Sequence, residues 1–161
     1  MPEDYSLRAA TPADAATIAG HRGRMFVDMG SLTPAGAAAQ QELWAGWFRE
    51  ALSSGGYVGV LAERAGEVVG GVGLLFFPKI PTVKDPATRK AHVLNMFVAP
   101  DHRRLGLAEA LMRGALAEVR ARGLRSVTLN AAPMGRRLYE RLGFTPVGNP
   151  EMRHTLEEEH V

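Results

Sequence analysis

The amino-acid sequence predicts an α/β (α+β) fold with four helices and a sheet of six to seven strands. Three observations support this prediction. Thr-Pro pairs at two points of the N-terminal half precede segments in which apolar residues have helical spacing. Two segments rich in Val, Leu and Phe follow, with a short turn between them. A long segment with helical spacing then lies between two segments that are typical of strands. Because helices and strands alternate along the chain, we expect helices to flank the sheet.

The N-terminal half contains a strand, two helices and an antiparallel hairpin. Thr11 and Thr33 are suitable helix caps, and a proline follows each at the first helical position. Glycines follow the last helical residues of both segments. The predicted elements are a strand at residues 5–8, helices at residues 12–29 and 34–52, and strands at residues 57–63 and 67–77.

The C-terminal half begins with a loop, because residues 78–89 contain three prolines and show no periodicity. Apolar residues then recur at helical spacing up to Val119, and Gly123 ends this helix. The segment before it is apolar on both faces, which favours a central strand. The predicted elements are strands at residues 92–98, 125–131 and 145–152, and helices at residues 105–122 and 134–142.

Length and composition restrict the class of protein. A chain of 161 residues with 46% hydrophobic and 22% charged residues is typical of one globular domain. We place that domain at residues 1–154, followed by a frayed acidic tail at residues 155–161. The absence of cysteine excludes disulfides, thiolate metal sites and a cysteine nucleophile. The histidines lack metal-ligand spacing, so we expect no metal. Without a secretion signal or a bilayer-spanning apolar run, we expect a cytoplasmic protein with no membrane partner.

Positive charge is concentrated in the second half of the chain. Residues 1–80 carry six Lys/Arg and eight Asp/Glu, whereas residues 81–161 carry thirteen and nine. Between residues 101 and 141 nine arginines are interleaved with four acids. This excess is too small for a nucleic-acid-binding tract but sufficient for a phosphorylated small molecule. We therefore expect an anion site in this half and no nucleic-acid partner.

Residues 98–108 join the end of a predicted strand to the start of the longest predicted helix. The first amides of a helix lack intrahelical acceptors, and the helix dipole adds partial positive charge. Gly106 leaves room for a pyrophosphate, Ala108 is the next smallest residue, and Arg103 and Arg104 add charge-assisted hydrogen bonds. The junction therefore predicts a phosphate site. Taken alone, the pattern is equally compatible with two solvated arginines near a helix start.

The context of this junction makes it specific. Arg103-Arg-Leu-Gly106-Leu-Ala108 resembles the Gln/Arg-x-x-Gly-x-Gly/Ala motif of the GNAT superfamily of N-acetyltransferases. The resemblance extends to residues 94–100, 126–130 and 138–144, which are similar to the fourth strand, the fifth strand and the closing helix of that family. It covers residues 91–147 well, whereas residues 5–77 fit only in the order of their elements. It implies a GNAT-like mixed, mostly antiparallel central sheet.

Similarity to GNAT enzymes implies acetyl-CoA as the donor, with its pyrophosphate on the amides of the motif and its pantetheine arm against exposed fourth-strand backbone. One amide of that strand, at Phe97, is a candidate for polarising the thioester carbonyl. The side chain of Asn130 is a candidate for bonding pantetheine, and an ordinary polar residue at a strand end is the alternative. The donor-binding residues implied are Met96, Phe97, Val98, Arg103, Arg104, Leu105, Gly106, Leu107, Ala108 and Asn130.

The same resemblance implies a catalytic residue, Tyr139. Its phenol, with an ordinary pKa near 10, can protonate a departing thiolate. The alternative is an aromatic residue that packs against the core. No carboxylate lies on the predicted fourth strand to serve as general base. His92 and a water relay both stay open as bases.

The amine acceptor is less defined by the sequence. In the family it enters over the first two helices, here residues 22–33 and the helix with Trp44 and Trp47. Met25, Phe26 and Met29 are candidates for an apolar lining, with ordinary core packing as the alternative. We also expect that the cationic residues of the loop before the fourth strand admit a substrate with a carboxylate. These are Lys79, Lys84, Arg89 and Lys90.

The sequence therefore predicts an N-acetyltransferase that moves an acetyl group to a primary amine of a small molecule or peptide, by direct attack in a ternary complex. A module that senses acyl-CoA without turnover is the alternative, because the missing carboxylate base is compatible with it. Many relatives dimerise, so the resemblance also allows a homodimer.

Overall fold

The computed structural model describes residues 1–156 and divides the chain into two units. The first unit is Met1–Asn130 and the second begins at Ala131. The assignment of residues 1–154 to one domain stays a prediction. Of the acidic tail predicted at residues 155–161, residues 157–161 lie outside the described part of the chain.

The first unit contains five strands and three of the four helices. Short 3-10 turns at Pro12–Asp14 and Pro100–His102 precede the first and third helices. The strands are β1 (Tyr5–Ala9), β2 (Tyr57–Arg64), β3 (Glu67–Pro78), β4 (Arg89–Val98) and β5 (Val127–Leu129). The helices are α1 (Ala15–Asp28), α2 (Pro34–Ser54) and α3 (Leu107–Ala121). The second unit contains α4 (Arg136–Arg141). Within residues 1–156, no helix combines the length and apolar character needed to cross a membrane.

The sheet has the order β1-β2-β3-β4-β5, in which the first four strands are antiparallel and β5 is parallel to β4. This confirms the predicted mixed, mostly antiparallel sheet with four helices. The described residues form five strands, however, and not six to seven. The strand expected at residues 145–152 is absent. Pro146 and Pro150 in that segment lack the amide hydrogens that a sheet ladder requires, which explains the difference.

Successive side chains of β2 point to opposite faces of the sheet, and helices pack against both faces. Leu61 is buried in a cluster with Ala15 of α1 and Phe48 of α2. The neighbouring Val60 points to the opposite face, where its Cγ1 would lie 3.3 Å from a Cβ at Gly114 of α3. The sheet is therefore covered by α1 and α2 on one face and by α3 on the other. On α3 the buried residues recur at helical spacing: Leu107, Leu111, Met112, Ala115 and Val119.

The predicted cap Thr33 defines the start of α2, whereas the residue before α1 is Asp14 and not the predicted Thr11, which precedes a 3-10 turn. The hydroxyl of Thr33 accepts a hydrogen bond from the amide of Gly36 over 3.0 Å at the start of α2. Before α1, the carboxylate of Asp14 accepts from the amide of Thr11 over 2.7 Å and from both Nη atoms of Arg8 over 2.8 Å. Arg8 belongs to β1, so this bidentate ion pair attaches the start of α1 to the edge of the sheet.

Candidate active site

The strands β4 and β5 are paired over only part of β4. Ala91–Val93 pair with Val127–Leu129, and β5 ends there while β4 continues to Val98. Among the described residues, β3 is therefore the only sheet partner of residues 94–98.

The amide of Ala99 donates to the carbonyl of Val69 on β3, and main-chain groups two residues apart face the same side of a strand. The amide of Phe97 therefore faces β3, in contrast to the expectation for this residue, while the amides of Met96 and Val98 face the unpaired edge. Since unpaired main-chain groups inside a sheet require a partner, this edge can accept an extended ligand.

A β-bulge interrupts β4 at the point where β5 ends. Gly73 pairs with Leu94 and Gly71 pairs with Phe97, so Asn95 and Met96 together lie opposite one residue of β3. Asn95 has a φ of 55°, which asparagine tolerates better than most residues. Its buried side chain accepts a hydrogen bond from Arg22 Nη1 over 2.5 Å and donates to the Tyr57 hydroxyl over 3.5 Å. The bulge thus places a polar network beside the unpaired part of β4.

The loop after β4 presents the amides that the sequence predicts for phosphate binding. Arg104 and Gly106 both have positive φ, at 62° and 80°, and α3 begins directly after them. Within residues 1–156, the amides of residues 104–108 donate to no protein acceptor. The amide of Ala110 donates back into the turn, to the carbonyl of Gly106 over 3.0 Å. The exposed loop and the first turn of α3 therefore offer a run of free donors to an anion.

The two arginines of the motif have different environments. Arg103 donates from Nε to the carbonyl of Val98 over 2.8 Å, and its Nη2 pairs with Asp28 over 2.5 Å. Its side chain thus connects the end of β4 to the end of α1. Arg104 is exposed and forms no ion pair with another residue of the described chain. Of the two, Arg104 has the guanidinium that remains available to a phosphate.

Three histidines have defined neighbours, and the ring of one of them, His21, lies 4.7 Å from the ring of Phe97 on β4. His92 Nδ1 lies 2.8 Å from the hydroxyl of Thr128, which links β4 to β5. His102 Nδ1 lies 2.8 Å from the Tyr5 hydroxyl. Burial, together with the nearby charge of Arg24, lowers the pKa of His21 to about 4, so its ring is neutral at pH 7. Residues 1–156 contain no cluster of three or more His, Asp or Glu side chains that could hold a metal ion.

Of the side chains expected to line the acceptor side, Phe26 packs against the ring of Trp44. The ring of Phe26 lies 6.0 Å from that of Trp44, and the guanidinium of Arg22 lies against both rings, 4.7 and 5.4 Å from their centres. Met25 is half-buried, whereas Met29 is exposed. Ordinary core packing therefore does not describe Met29.

The sequence model of the Acetyltransferase (GNAT) family matches residues 26–144. The chain belongs to this family. Solved structures of other acetyltransferases share its fold. A GCN5-related N-acetyltransferase from Ralstonia eutropha is 30% identical, with a TM-score of 0.83 over 93% of this chain and 98% of that one. A predicted acetyltransferase from Clostridium acetobutylicum, solved with acetyl-CoA, is 22% identical, with a TM-score of 0.85 over 97% and 99%.

A ribosomal-protein-alanine N-acetyltransferase from Brucella melitensis is 19% identical to this GNAT acetyltransferase, with a TM-score of 0.70 over 94% of this chain and 99% of that one. Comparison with curated protein sequences gives no significant match. The family assignment confirms the resemblance predicted from Arg103, Gly106 and Ala108.

The remaining donor-side and catalytic candidates of this GNAT acetyltransferase, Asn130 and Tyr139, belong to different units. Asn130 is exposed and directly follows β5. In the second unit, Tyr139 of α4 packs its ring edge-on to Phe144, with the ring centres 6.1 Å apart. Burial raises the pKa of Tyr139 above its usual value, so the phenol is neutral at pH 7. The roles of Asn130 and Tyr139 stay predictions.

Two residues of the polar network were missed by the sequence analysis of this GNAT acetyltransferase, Arg22 and Tyr57. A signal for Arg22 was present, because it lies one helical turn before Phe26 and so shares its face. Tyr57 gave no such signal. Two residues of the cationic loop have partners within the described chain, and their role towards a substrate stays a prediction. Lys79 pairs with Asp85 over 3.2 Å and donates to two loop carbonyls, and Arg89 lies over the ring of Phe76.

Proposed function

We propose that this GNAT acetyltransferase moves an acetyl group from acetyl-CoA to a primary amine of a small molecule or peptide. The observation that carries the proposal is the continuity of two sets of free main-chain groups. The unpaired edge of β4 leads directly into the loop whose amides lack protein acceptors. A donor with a pyrophosphate and an extended, amide-containing arm has the chemistry that these groups require.

In this proposal one group of residues binds the pyrophosphate of acetyl-CoA and another group binds its pantetheine arm. The pyrophosphate binds the amides of Arg104, Leu105, Gly106, Leu107 and Ala108, with the exposed guanidinium of Arg104 alongside. Arg103 acts as a positioning residue, because its hydrogen bond to Val98 holds the loop against the end of β4. The pantetheine arm pairs with the backbone of Met96 and Val98 at the unpaired edge, and the side chain of Asn130 bonds the arm.

The reaction forms one bond and breaks another. The amine nitrogen attacks the acetyl carbon directly in a ternary complex, and the carbon–sulfur bond breaks as coenzyme A leaves. The amide of Met96, which faces the unpaired edge of β4, stabilises the negative charge that develops on the carbonyl oxygen, because the amide of Phe97 faces β3. The hydroxyl of Tyr139 gives its proton to the leaving sulfur. The attacking amine loses its proton through a relay of water molecules to solvent, because β4 carries no carboxylate.

Two measurements test the proposal. Calorimetric titration with acetyl-CoA and with coenzyme A measures donor binding, and a thiol assay with a panel of amines and peptides measures transfer. We expect that acetyl-CoA and coenzyme A both bind and that thiol is released only when an acceptor is present. Mass spectrometry should detect the acetylated acceptor. Absence of binding heat with both acetyl-CoA and coenzyme A would contradict the proposed donor site.

A second candidate function is an acyl-CoA sensor without turnover. The observation that favours it is the lack of a carboxylate on β4. Donor binding without thiol release over the whole panel would support this alternative and reject the transferase.

A further inference from the structure

Arg22 is a partly buried cation that has no acidic partner among residues 1–156. Its Nη1 donates to Asn95 over 2.5 Å, and the rings of Phe26 and Trp44 lie against its guanidinium. Within the described chain no carboxylate forms an ion pair with it. Arg8 and Arg103, in contrast, each pair with at least one carboxylate.

The contacts of Arg22 offset only part of the free-energy cost of removing its charge from water. Burial lowers the pKa of Arg22. The amide of Asn95 is neutral, and contacts with aromatic faces offset only part of the cost of desolvating a full charge. An anion that enters the site would therefore be bound strongly.

The unused donors of Arg22 are not fully enclosed by the protein. No fully buried side-chain nitrogen among residues 1–156 lacks a hydrogen-bond partner. Because the structure gives Arg22 one hydrogen bond, its other guanidinium nitrogens must reach solvent. A planar guanidinium with a free edge matches the two oxygens of a carboxylate.

The location of this free edge connects it to acetyl transfer. Asn95, the partner of Arg22, immediately precedes Met96, where the unpaired donor-binding backbone begins. We propose that the acceptor amine carries a carboxylate and that Arg22 binds this carboxylate, which places the amine beside the thioester. This inference rests on the proposed acetyltransferase function and specifies its acceptor class.

Charge and shape favour a carboxylate over other groups. Arg22 is the only charged member of the cluster that it forms with Phe26, Trp44, Tyr57 and Asn95. A single positive charge matches one carboxylate better than a phosphate with nearly two negative charges. A polyamine would be repelled. The faces of Phe26 and Trp44 can cover the carbon chain of the acceptor.

The test compares matched acceptors. The L-amino acids and 4-aminobutanoate are each assayed beside the corresponding carboxamide, with phosphoethanolamine as a further arm. The measured quantity is the ratio of kcat/KM for each carboxylate to that for its carboxamide. We expect a ratio of about tenfold or more for at least one pair in the wild-type protein, as one charge-assisted interaction provides.

Variants assign this preference to Arg22. Arg22→Met should reduce the ratio to about one, and Arg22→Lys should retain part of it because the charge remains. Arg49→Met is the matched control, since Arg49 is exposed on α2 and lies outside the cluster. Its ratio should equal that of the wild type. Acetyl-CoA titration of each variant verifies that the donor site is intact.

Each remaining outcome decides the inference. Equal use of carboxylate and carboxamide by the wild type, an unchanged ratio in Arg22→Met, or a preference for phosphoethanolamine would overturn it and leave the transferase standing. If acetyl-CoA binds but thiol is released with none of the acceptors, the proposal of acetyl transfer is rejected. Thermal unfolding then tests separately whether Arg22 binds a carboxylate. Stabilisation of the coenzyme A complex by a carboxylate in the wild type, but not in Arg22→Met, would support binding at Arg22. No stabilisation would reject it.

Discussion

The hydroxyl oxygen of Tyr57 lies directly over Gly73, where an added Cβ would be only 2.0 Å from it. Tyr57 on β2 is buried, and this burial raises the pKa of its phenol to about 12. The space above Gly73 lets the hydroxyl reach Asn95 in the bulge of β4. A glycine on β3 thus permits the network that connects Tyr57 and Asn95 to Arg22.

We predict that Gly73→Ala destabilises the protein. The new methyl group overlaps the Tyr57 ring, and overpacking of this kind costs about 1–3 kcal/mol in the free energy of unfolding. Gly46→Ala is the control, because Gly46 lies in α2 with nothing within 4 Å of its Cβ position. That variant should be stabilised by about 0.5–1 kcal/mol. Urea denaturation measures both, and wild-type stability of Gly73→Ala would contradict the Tyr57 contact.

The order of helices and strands could be predicted from sequence because local signals define most of the elements. Their exact ends could not. Periodicity predicts a start of α3 at Leu105, but the left-handed conformations of Arg104 and Gly106 delay it to Leu107. Similarly, β5 is shorter than predicted because its length depends on pairing with Ala91–Val93, a contact distant in sequence.

We predict that Gly106→Ala weakens acetyl-CoA binding beyond its effect on stability. A residue other than glycine at a φ of 80° costs about 1–2 kcal/mol of folding free energy, and relaxation of this strain would turn the amides of the loop. Gly55→Ala is the matched control, with a φ of 78° at the end of α2. Both variants should lose similar stability, but only Gly106→Ala should bind acetyl-CoA more weakly in calorimetry. Equal affinities of Gly106→Ala and Gly55→Ala for acetyl-CoA would contradict the proposal that the loop before α3 binds the pyrophosphate.

The pH dependence of stability should show a contribution from His21. Its pKa is about 4 when folded and near 6.5 when unfolded, mainly because burial disfavours the charged ring. The unfolded state therefore binds more protons between these values, and stability falls as the pH decreases from 6.5 to 4. The expected loss is about 3 kcal/mol.

Urea denaturation at several pH values measures this loss, and His21→Phe should remove it while keeping a ring beside Phe97. Asp14 acts in a separate window. Hydrogen bonds from Arg8 hold the pKa of its carboxyl at about 2, so its contribution is lost only as the pH falls from about 4 towards 2. An unchanged pH profile of His21→Phe between pH 4 and 6.5 would show that another group titrates there.

The donor side of the candidate site could be predicted because one contiguous motif carries it. The free amides of residues 104–108 follow from a helix start after a strand, which is a local property. The acceptor side could not be predicted in this way. Arg22 and Asn95 are 73 positions apart in sequence and meet only through the packing of α1 on the sheet. Asn95 also departs from the apolar pattern of β4, and its reason, the bulge, is visible only in the pairing with β3.

Tyr139→Phe tests the proposed general acid. The substitution removes the hydroxyl and keeps the ring that packs against Phe144, so the free energy of unfolding should change little. We expect kcat to fall by about 10²- to 10⁴-fold, the usual contribution of a general acid, while the Kd for acetyl-CoA stays near the wild-type value. Because burial raises the pKa of Tyr139, the phenol stays protonated across neutral pH and the loss of kcat should be constant there. Phe144→Leu is the control for packing: it removes the ring contact but retains the hydroxyl, and its kcat should exceed that of Tyr139→Phe. A loss of donor affinity equal to the loss of kcat would assign Tyr139 to packing, and full activity would exclude it as the acid.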